Sequence, residues 1–151
     1  LEGSLQDETE IELHISALIP DDWLGDIHMR LTLYKRIASA PDESALRDLQ
    51  VEMIDRFGLL PEQTKHLFQI AELRLKARAI GVRRIDFSES GGRFEFTEDT
   101  KANPVVLLGM IQKQPFDYKL QGPQKLRLTF EEESIEKRIQ ICNEILDKLT
   151  S

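Results

Sequence analysis

The sequence has very little of the chemistry on which small catalytic and metal sites depend. A single cysteine, Cys142, excludes an internal disulfide, and with only three scattered histidines it argues against structural zinc. No GxxxxGK[ST] or GxGxxG phosphate-binding motif occurs, and no Gly-x-Ser-x-Gly nucleophile motif is present. Cys142 falls on the apolar face of a helical pattern, as a buried structural thiol does. We therefore predict a non-catalytic chain that holds no metal and no cofactor.

Long apolar runs and an excess of positive charge are also missing. No stretch approaches the roughly 18 apolar residues that a membrane span needs, and no signal peptide is visible. Twenty Lys and Arg stand against 27 Asp and Glu, a formal charge of −7. That balance argues against a dedicated duplex-DNA-binding module, which needs a cationic face. With one cysteine, it favours a cytoplasmic protein that meets basic protein surfaces.

The start of the chain indicates a piece of a larger protein. It begins at Leu1, and residues 1–9 are polar without a periodic apolar pattern. We interpret residues 1–9 as a linker or cloning-derived segment, and residues 10–151 as a single domain.

Periodicity predicts an α+β domain with a largely antiparallel sheet, because regular βαβ alternation is absent. An N-terminal strand precedes a layer of three helices, and two antiparallel hairpins follow with a short helix and a final helix packed on the sheet. The predicted segments are a strand over 10–19, helices over 27–40, 42–60 and 62–80, strands over 82–87 and 93–96, a helix over 104–114, strands over 116–120 and 125–130, and a helix over 133–149.

Some side-chain placements follow from the same patterns. His14 falls on the polar side of the first strand, and His66 lies beside Lys65 on the third helix, so both are expected at the surface. In the first helix, the spacing of four apolar residues predicts the buried face, with Leu33 and Ile37 widening it: Ile27, Leu31, Tyr34 and Ala38.

The helix over 42–60 has the clearest pattern of all. Its apolar face recurs at spacings of 3, 4 and 4 through Leu46, Leu49, Met53 and Phe57, and Gly58 can close it in the left-handed conformation. The opposite face carries a stripe of three carboxylates: Asp48, Glu52 and Asp55. Such a stripe is typical of a solvated surface, and it also suits a docking edge for a basic partner. Helical spacing converges poorly on a cation, so we do not expect a metal there.

Four segments, in this order, resemble the C-terminal domain of the bacterial transcription-repair coupling factor (Mfd) family: EIELHISALIPDDW, RLTLYKRIASA, VEMIDRFGLLP and LRLKARAIGVRRI. The most specific element is Ile-Asp-Arg-Phe-Gly after a Tyr-Lys-Arg helix. NPVVLLGMIQKQP followed by a Gly-Pro turn extends the resemblance, which covers residues 10–149 and is weaker in the last helix.

The resemblance implies a regulatory role. The family are ATP- and Mg-dependent DNA translocases that push stalled RNA polymerase and recruit the excision-repair protein UvrA, and their motor motifs lie outside this domain. Their C-terminal domain has no catalysis of its own. It docks on the N-terminal UvrB-like module of the same protein and hides the UvrA-binding surface until the factor engages polymerase on DNA.

Carried onto this sequence through the matched helix, the docking residues are Glu52 and Asp55, with Asp48 at the rim and Arg56 orienting the carboxylates or acting locally. The alternative function is a nucleic-acid-contacting accessory domain. It would use the cationic residues of the third helix and beyond: Lys65, Arg74, Lys76, Arg78, Arg83 and Arg84.

Overall fold

The computed structural model describes residues 8–151, so residues 1–7 of the predicted linker lie outside it. Within that range the elements are β1 (Glu10–Glu12), α1 (Ile27–Ser39), α2 (Glu43–Phe57), α3 (Glu62–Ala79), β2 (Val82–Ser88), β3 (Gly91–Phe96), α4 (Pro104–Lys113), β4 (Tyr118–Leu120), β5 (Lys125–Leu128) and α5 (Ile135–Thr150). The predicted α+β class and order of elements are confirmed. No helix in this part of the chain combines the length and apolarity needed to cross a membrane.

The strands form one mixed sheet in the order β1-β2-β3-β5-β4. β1 pairs with β2 in parallel, and the other three pairs are antiparallel. Two of these, β2–β3 and β4–β5, are the predicted hairpins, and the pairing of β3 with β5 joins them. The inner face of the sheet is apolar, with Ile85, Phe87, Phe94 and Leu126 fully buried. Helix α5 contributes a buried stripe that includes Cys142, whose pKa is raised by burial to about 12. Cys142 is therefore the structural thiol that the sequence predicts.

The chain forms two compact units. One is discontinuous and contains the sheet, α4 and α5; it combines residues up to His14 with Lys76–Ser151. The other is continuous, Ile15–Leu75, and contains α1, α2 and most of α3. A single domain over residues 10–151 stays a prediction. Thr9, which we assigned to the linker, is buried and donates from Oγ1 to the carbonyl oxygen of Val82 at 2.9 Å, so the ordered fold begins slightly earlier.

The helical unit has its own apolar core. Buried residues of α1, α2 and α3 form one cluster together with the segments between them: Ile19, Leu24, Leu33, Ile37, Leu46, Leu49, Met53, Leu60, Phe68 and Ala71. Trp23 closes one side of it, with its ring 5.8 Å from that of Phe57 in an edge-to-face arrangement. The predicted three-helix layer is thus held by non-directional burial, the main stabilising force for such an assembly.

The first strand is shorter than the predicted 10–19. It ends at Glu12, because His14 adopts a positive φ of 56° that turns the chain out of the sheet. The backbone beyond it makes other hydrogen bonds: Leu18 donates to the carbonyl of Gln63 and accepts from the hydroxyl of Thr64. The backbone groups of Leu18 are therefore paired with the first turn of α3 and not with a neighbouring strand, although the alternation of apolar and polar residues continues to residue 19.

One histidine placement is confirmed and the other needs correction. His14 is exposed, as expected, and its Nε2 atom lies 2.8 Å from Oδ1 of Asp86. His66 is buried, with Nδ1 3.1 Å from the carbonyl oxygen of Ser16. The neighbouring Lys65 misled the prediction, because adjacent helical residues point about 100° apart.

The buried face of α1 is narrower than the predicted one. Leu33 and Ile37 are buried and Tyr34 is half-buried, as predicted, while Ile27 and Leu31 remain 57% and 52% exposed and Ala38 is exposed too. The Tyr34 hydroxyl accepts from the amide of Ile19 at 2.7 Å, which draws the Tyr34 edge toward the preceding loop. Two apolar sets compete along this helix, and packing selects the one that faces α2.

Candidate docking surface on helix α2

Helix α2 has defined signals at both ends. Asp42 is its N-cap, and the Oδ1 atom accepts from the amide of Ala45 at 2.8 Å. Gly58 ends it with a φ of 95°, and the Gly58 amide donates to the carbonyl of Ile54 at 2.9 Å. Substituting an Asp cap destabilises a helix by about 1 kcal/mol, so the contact at Asp42 stabilises the start of α2. The predicted stop at Gly58 is confirmed.

The apolar face of α2 anchors the helix. Leu46, Leu49 and Met53 are buried in the helical unit, as predicted, and Phe57 is half-buried against Trp23. Each buried side chain contributes roughly 1.5–3 kcal/mol relative to an exposed one. The carboxylates therefore lie on a helix whose opposite face is buried in the core of the helical unit.

Glu52 is already engaged within the helical unit. Arg36 of α1 donates to both of its oxygens, from Nη1 at 2.6 Å and from Nη2 at 2.9 Å. Arg56 adds a longer contact from Nη1, 3.4 Å from Oε2. A bidentate pair fixes the carboxylate plane in a way that a single contact does not. Local sequence patterns give no sign of this pairing, because it joins two helices.

This pairing sets the acidity of Glu52. The hydrogen bonds from Arg36 lower the pKa of Glu52 from its usual 4.5 to about 2. Since the folded-state pKa is depressed, the pairing stabilises the folded protein above about pH 4.5 and is lost as the pH falls toward 2. The contribution is screened by solvent because the pair is exposed.

An Arg36→Gln variant tests this assignment. We expect the titration midpoint of the Glu52 side chain, followed by carboxyl carbon NMR shifts, to rise from about 2 toward 4.5. Arg47→Gln is the matched control, since Arg47 is exposed on the same helix and is not a hydrogen-bond partner of Glu52. Equal midpoints in the two variants would contradict the pairing.

Arg56 acts locally. Besides its contact with Glu52, its Nη2 atom lies 3.9 Å from Sδ of Met29, and its guanidinium carbon is 4.9 Å from the centroid of the Phe57 ring. These contacts hold the side chain along the edge shared by α1 and α2. The described contacts of Arg56 are therefore all made within the helical unit.

Asp48 and Asp55 are in a different position. Both are exposed, and among residues 8–151 no side chain hydrogen-bonds or forms an ion pair with either. Val51 lies between them along the helix and is 58% exposed. The sequence pattern does not single out this apolar residue, because it lies among the carboxylates. The three carboxylates do not converge as a metal-ligand group within the described range. What α2 offers is an apolar residue flanked by two unshared negative charges.

The cationic residues of the alternative function are mostly engaged. Lys76 donates to Asn143 and Asp147, both at 3.1 Å, and Lys65 lies 3.5 Å from Glu62. In the sheet, Arg83 contacts Glu95 at 3.3 Å, and Arg84 forms an ion pair with Glu10. Partners inside the protein neutralise much of this charge, which leaves less of it for phosphates.

Comparisons with known proteins agree with the resemblance. The family described as TRCF domain matches residues 13–107. The transcription-repair-coupling factor of Escherichia coli K12 is 42% identical over 149 residues, 99% of this chain and 13% of the relative. That of Haemophilus influenzae Rd is 49% identical over 127 residues, 84% of this chain and 11% of the relative. The chain thus spans about an eighth of the relatives it matches.

A solved structure shares the fold. The crystal structure of the C-terminal domain of a transcription-repair coupling factor superposes with a TM-score of 0.77, at 20% identity, over 95% of this chain and 94% of that one. At this identity the likeness concerns the fold alone. The family match over residues 13–107 carries the assignment: this chain belongs to the TRCF domain family of the bacterial transcription-repair coupling factors.

Proposed function

We propose that this chain is a non-catalytic, autoinhibitory domain of a transcription-repair coupling factor. Through α2 it docks on the UvrB-like N-terminal module of the same protein and covers the surface that UvrA uses. Release follows when the factor engages stalled RNA polymerase on DNA. The observation that carries this proposal is the exposed pair Asp48 and Asp55, which have no partner among residues 8–151 and are displayed on a capped, well-anchored helix.

The chemistry of α2 suits a contact that must open. Exposed ion pairs contribute roughly 0.2–1 kcal/mol each, and a tether supplies the effective concentration that makes such weak contacts sufficient. Val51 provides an apolar centre, and the carboxylates form a charged rim around it, the usual anatomy of a reversible interface. Arginines or lysines on the UvrB-like module would complete the rim.

Within this surface we assign different roles to the predicted residues. Asp55 and Asp48 bind the partner directly, because their charges are unshared. Glu52 also docks, but Arg36 already holds and partly neutralises its carboxylate. It therefore contributes an acceptor of fixed orientation more than an unshared charge. Arg56 is a positioning residue for Glu52.

The test is charge reversal in the full-length factor. Asp48→Lys with Asp55→Lys is expected to raise UvrA affinity by roughly tenfold or more, because two lost ion pairs and the new repulsion shift the closed state toward the open one. UvrA binding is measured by fluorescence anisotropy, and thermal unfolding of the 151-residue chain shows whether the variant folds.

Glu98→Lys with Asp99→Lys is the matched control. Both residues are exposed in a turn of the sheet-containing unit, so the net charge changes equally without any substitution on α2. We expect its UvrA affinity to match that of the unchanged factor. A folded Asp48/Asp55 double variant that binds UvrA no better than this control would refute the proposal.

A further inference from the structure

The solvent-facing side of the sheet carries charged residues in cross-strand register. One set, here called the balanced row, alternates in sign across four strands: Lys125, Glu95, Arg84 and Glu10. Its contacts are made within the sheet. Arg84 pairs with Glu10, and its Nε atom lies 3.9 Å from Glu95. Opposite charges facing one another across strands stabilise a sheet, so the balanced row needs no further explanation.

The neighbouring set is different. Lys119 of β4 faces Arg127 of β5, and Arg127 faces Arg93 of β3, which gives three consecutive cations, the cationic row. At its inner end, Arg93 lies opposite Asp86 of β2 and donates from Nε to Glu95 at 3.0 Å, so its charge is shared with an acid. In the part of the chain that the structure describes, neither Lys119 nor Arg127 pairs with an acid. Like charges directly opposite are destabilising, and an open cleft of about 370 Å³ borders Arg93 and Arg127.

The outer end of the cationic row lies at an open sheet edge. β4 is the last strand of the sheet. On the inner side of β4, the amide of Thr129 donates to the backbone carbonyl of Asp117 at 2.8 Å, and the amide of Gln121 donates to the carbonyl of Lys125 at 2.9 Å. Hydrogen-bonded pairs alternate in an antiparallel ladder, so the amide and carbonyl of Leu120 point away from β5. These are the groups to which an added strand would bond.

Apolar side chains flank this edge. Leu120 is 43% exposed and points to the opposite side of β4 from Lys119, while Phe116 just before the strand is 93% exposed. Asp117, two residues before Lys119, already accepts from Gln114 at 2.9 Å. A strand added beside β4 would place alternate side chains next to Lys119 and next to Leu120.

We propose that β4 is a strand-addition site for an extended acidic segment of a partner protein, with the alternation apolar, acidic, apolar. The acidic side chain lies beside Lys119 and supplies the negative charge that the cationic row lacks at its outer end. Backbone groups of Leu120 give affinity, and the charge gives selectivity. This site goes beyond the docking role proposed for α2 and does not depend on it.

The same geometry disfavours two other occupants. A second copy pairing through β4 would set lysine against lysine, and a lysine on an edge strand is a common protection against such self-pairing. A nucleic acid would leave the edge amide and carbonyl of Leu120 unused and would meet Glu95 and Asp86 on the same sheet face.

The test uses a fluorescein-labelled peptide, Ser-Thr-Val-Glu-Val-Thr-Ser, and a matched peptide with lysine in place of glutamate. The glutamate peptide is expected to bind the 151-residue chain roughly fivefold more tightly than the lysine peptide does. Amide NMR shifts should centre on residues 119–121. Lys119→Glu should reverse the preference between the peptides, whereas Lys137→Glu, an equal charge change on α5, should preserve it. Leu120→Pro removes the outward amide and should abolish binding.

Several outcomes would overturn the proposal. They are no shift at residues 119–121 with millimolar peptide, equal binding of both peptides, and an unchanged preference in a folded Lys119→Glu variant. A thymidine octamer that displaces the glutamate peptide with steep salt dependence would instead identify a phosphate-binding face. A concentration-dependent dimer that Leu120→Pro abolishes would identify a second copy as the occupant.

Discussion

Gly92→Ala is expected to destabilise the protein by more than about 4 kcal/mol, because the sheet leaves no room for a side chain there. Gly92 lies opposite Phe87 in the β2–β3 hairpin, and an added Cβ would stand 1.7 Å from the carbonyl oxygen of Asp86. The obstacle is backbone, which cannot swing aside as the end of a side chain can. The measurement is thermal unfolding followed by circular dichroism, with an expected drop in Tm of about 10 °C.

Gly109→Ala is the matched control for this prediction. Gly109 lies in α4, and a Cβ there would meet nothing within 4 Å. Alanine in a helix interior is favoured over glycine by roughly 0.5–1 kcal/mol, so this variant should be slightly more stable than the unchanged chain. Similar melting temperatures for the two variants would show that the hairpin adapts, contrary to the close approach at Asp86.

The second large effect is expected at Met53→Ala. Met53 is fully buried on the inner face of α2, in the core that joins the three helices. Truncation leaves a cavity beneath the proposed docking surface and should destabilise the protein by about 2–5 kcal/mol. Urea unfolding monitored by Trp23 fluorescence reports it, since Trp23 packs against this core.

Val51→Ala separates stability from docking on the same helix. Val51 is 58% exposed, and alanine is the better helix former, so stability should stay within about 0.5 kcal/mol of the unchanged chain. UvrA binding by the full-length factor should nevertheless increase, because the proposed interface loses its apolar centre. A Val51→Ala variant as unstable as Met53→Ala would mean that α2 is rotated from the described orientation.

The sequence predicts α2 well because several local signals coincide. The 3-4-4 spacing from Leu46 to Phe57 and the glycine at position 58 lie within one segment, and the structure adds a cap at Asp42. Local rules therefore predict its bounds to within three residues at either end. The same reasoning places Asp48 and Asp55 correctly on the exposed face, while the docking role proposed for them follows from the resemblance.

Tertiary contacts explain where the sequence reading is wrong or incomplete. Nothing local distinguishes the apolar face of α1 that contains Ile27 and Leu31 from the one that contains Leu33, because both have helical spacing and packing chooses between them. The Arg36–Glu52 pair spans two helices, so neither residue signals the other. The end of β1 depends on the positive φ of His14, and no local pattern in the sequence signals this conformation.

The discontinuity of the sheet-containing unit has a consequence for synthesis on the ribosome. Every residue of the Ile15–Leu75 core is present once Leu75 has emerged, so α2 can fold early. β1 can pair only after β2 has been synthesised. The carbonyl of Leu13 accepts from Arg138 at 3.2 Å, a hydrogen bond that forms only after residue 138 has been synthesised. At roughly 5–20 residues per second, several seconds separate these events. The helix that bears Asp48 and Asp55 is thus expected to be complete before the edge strand β4 exists.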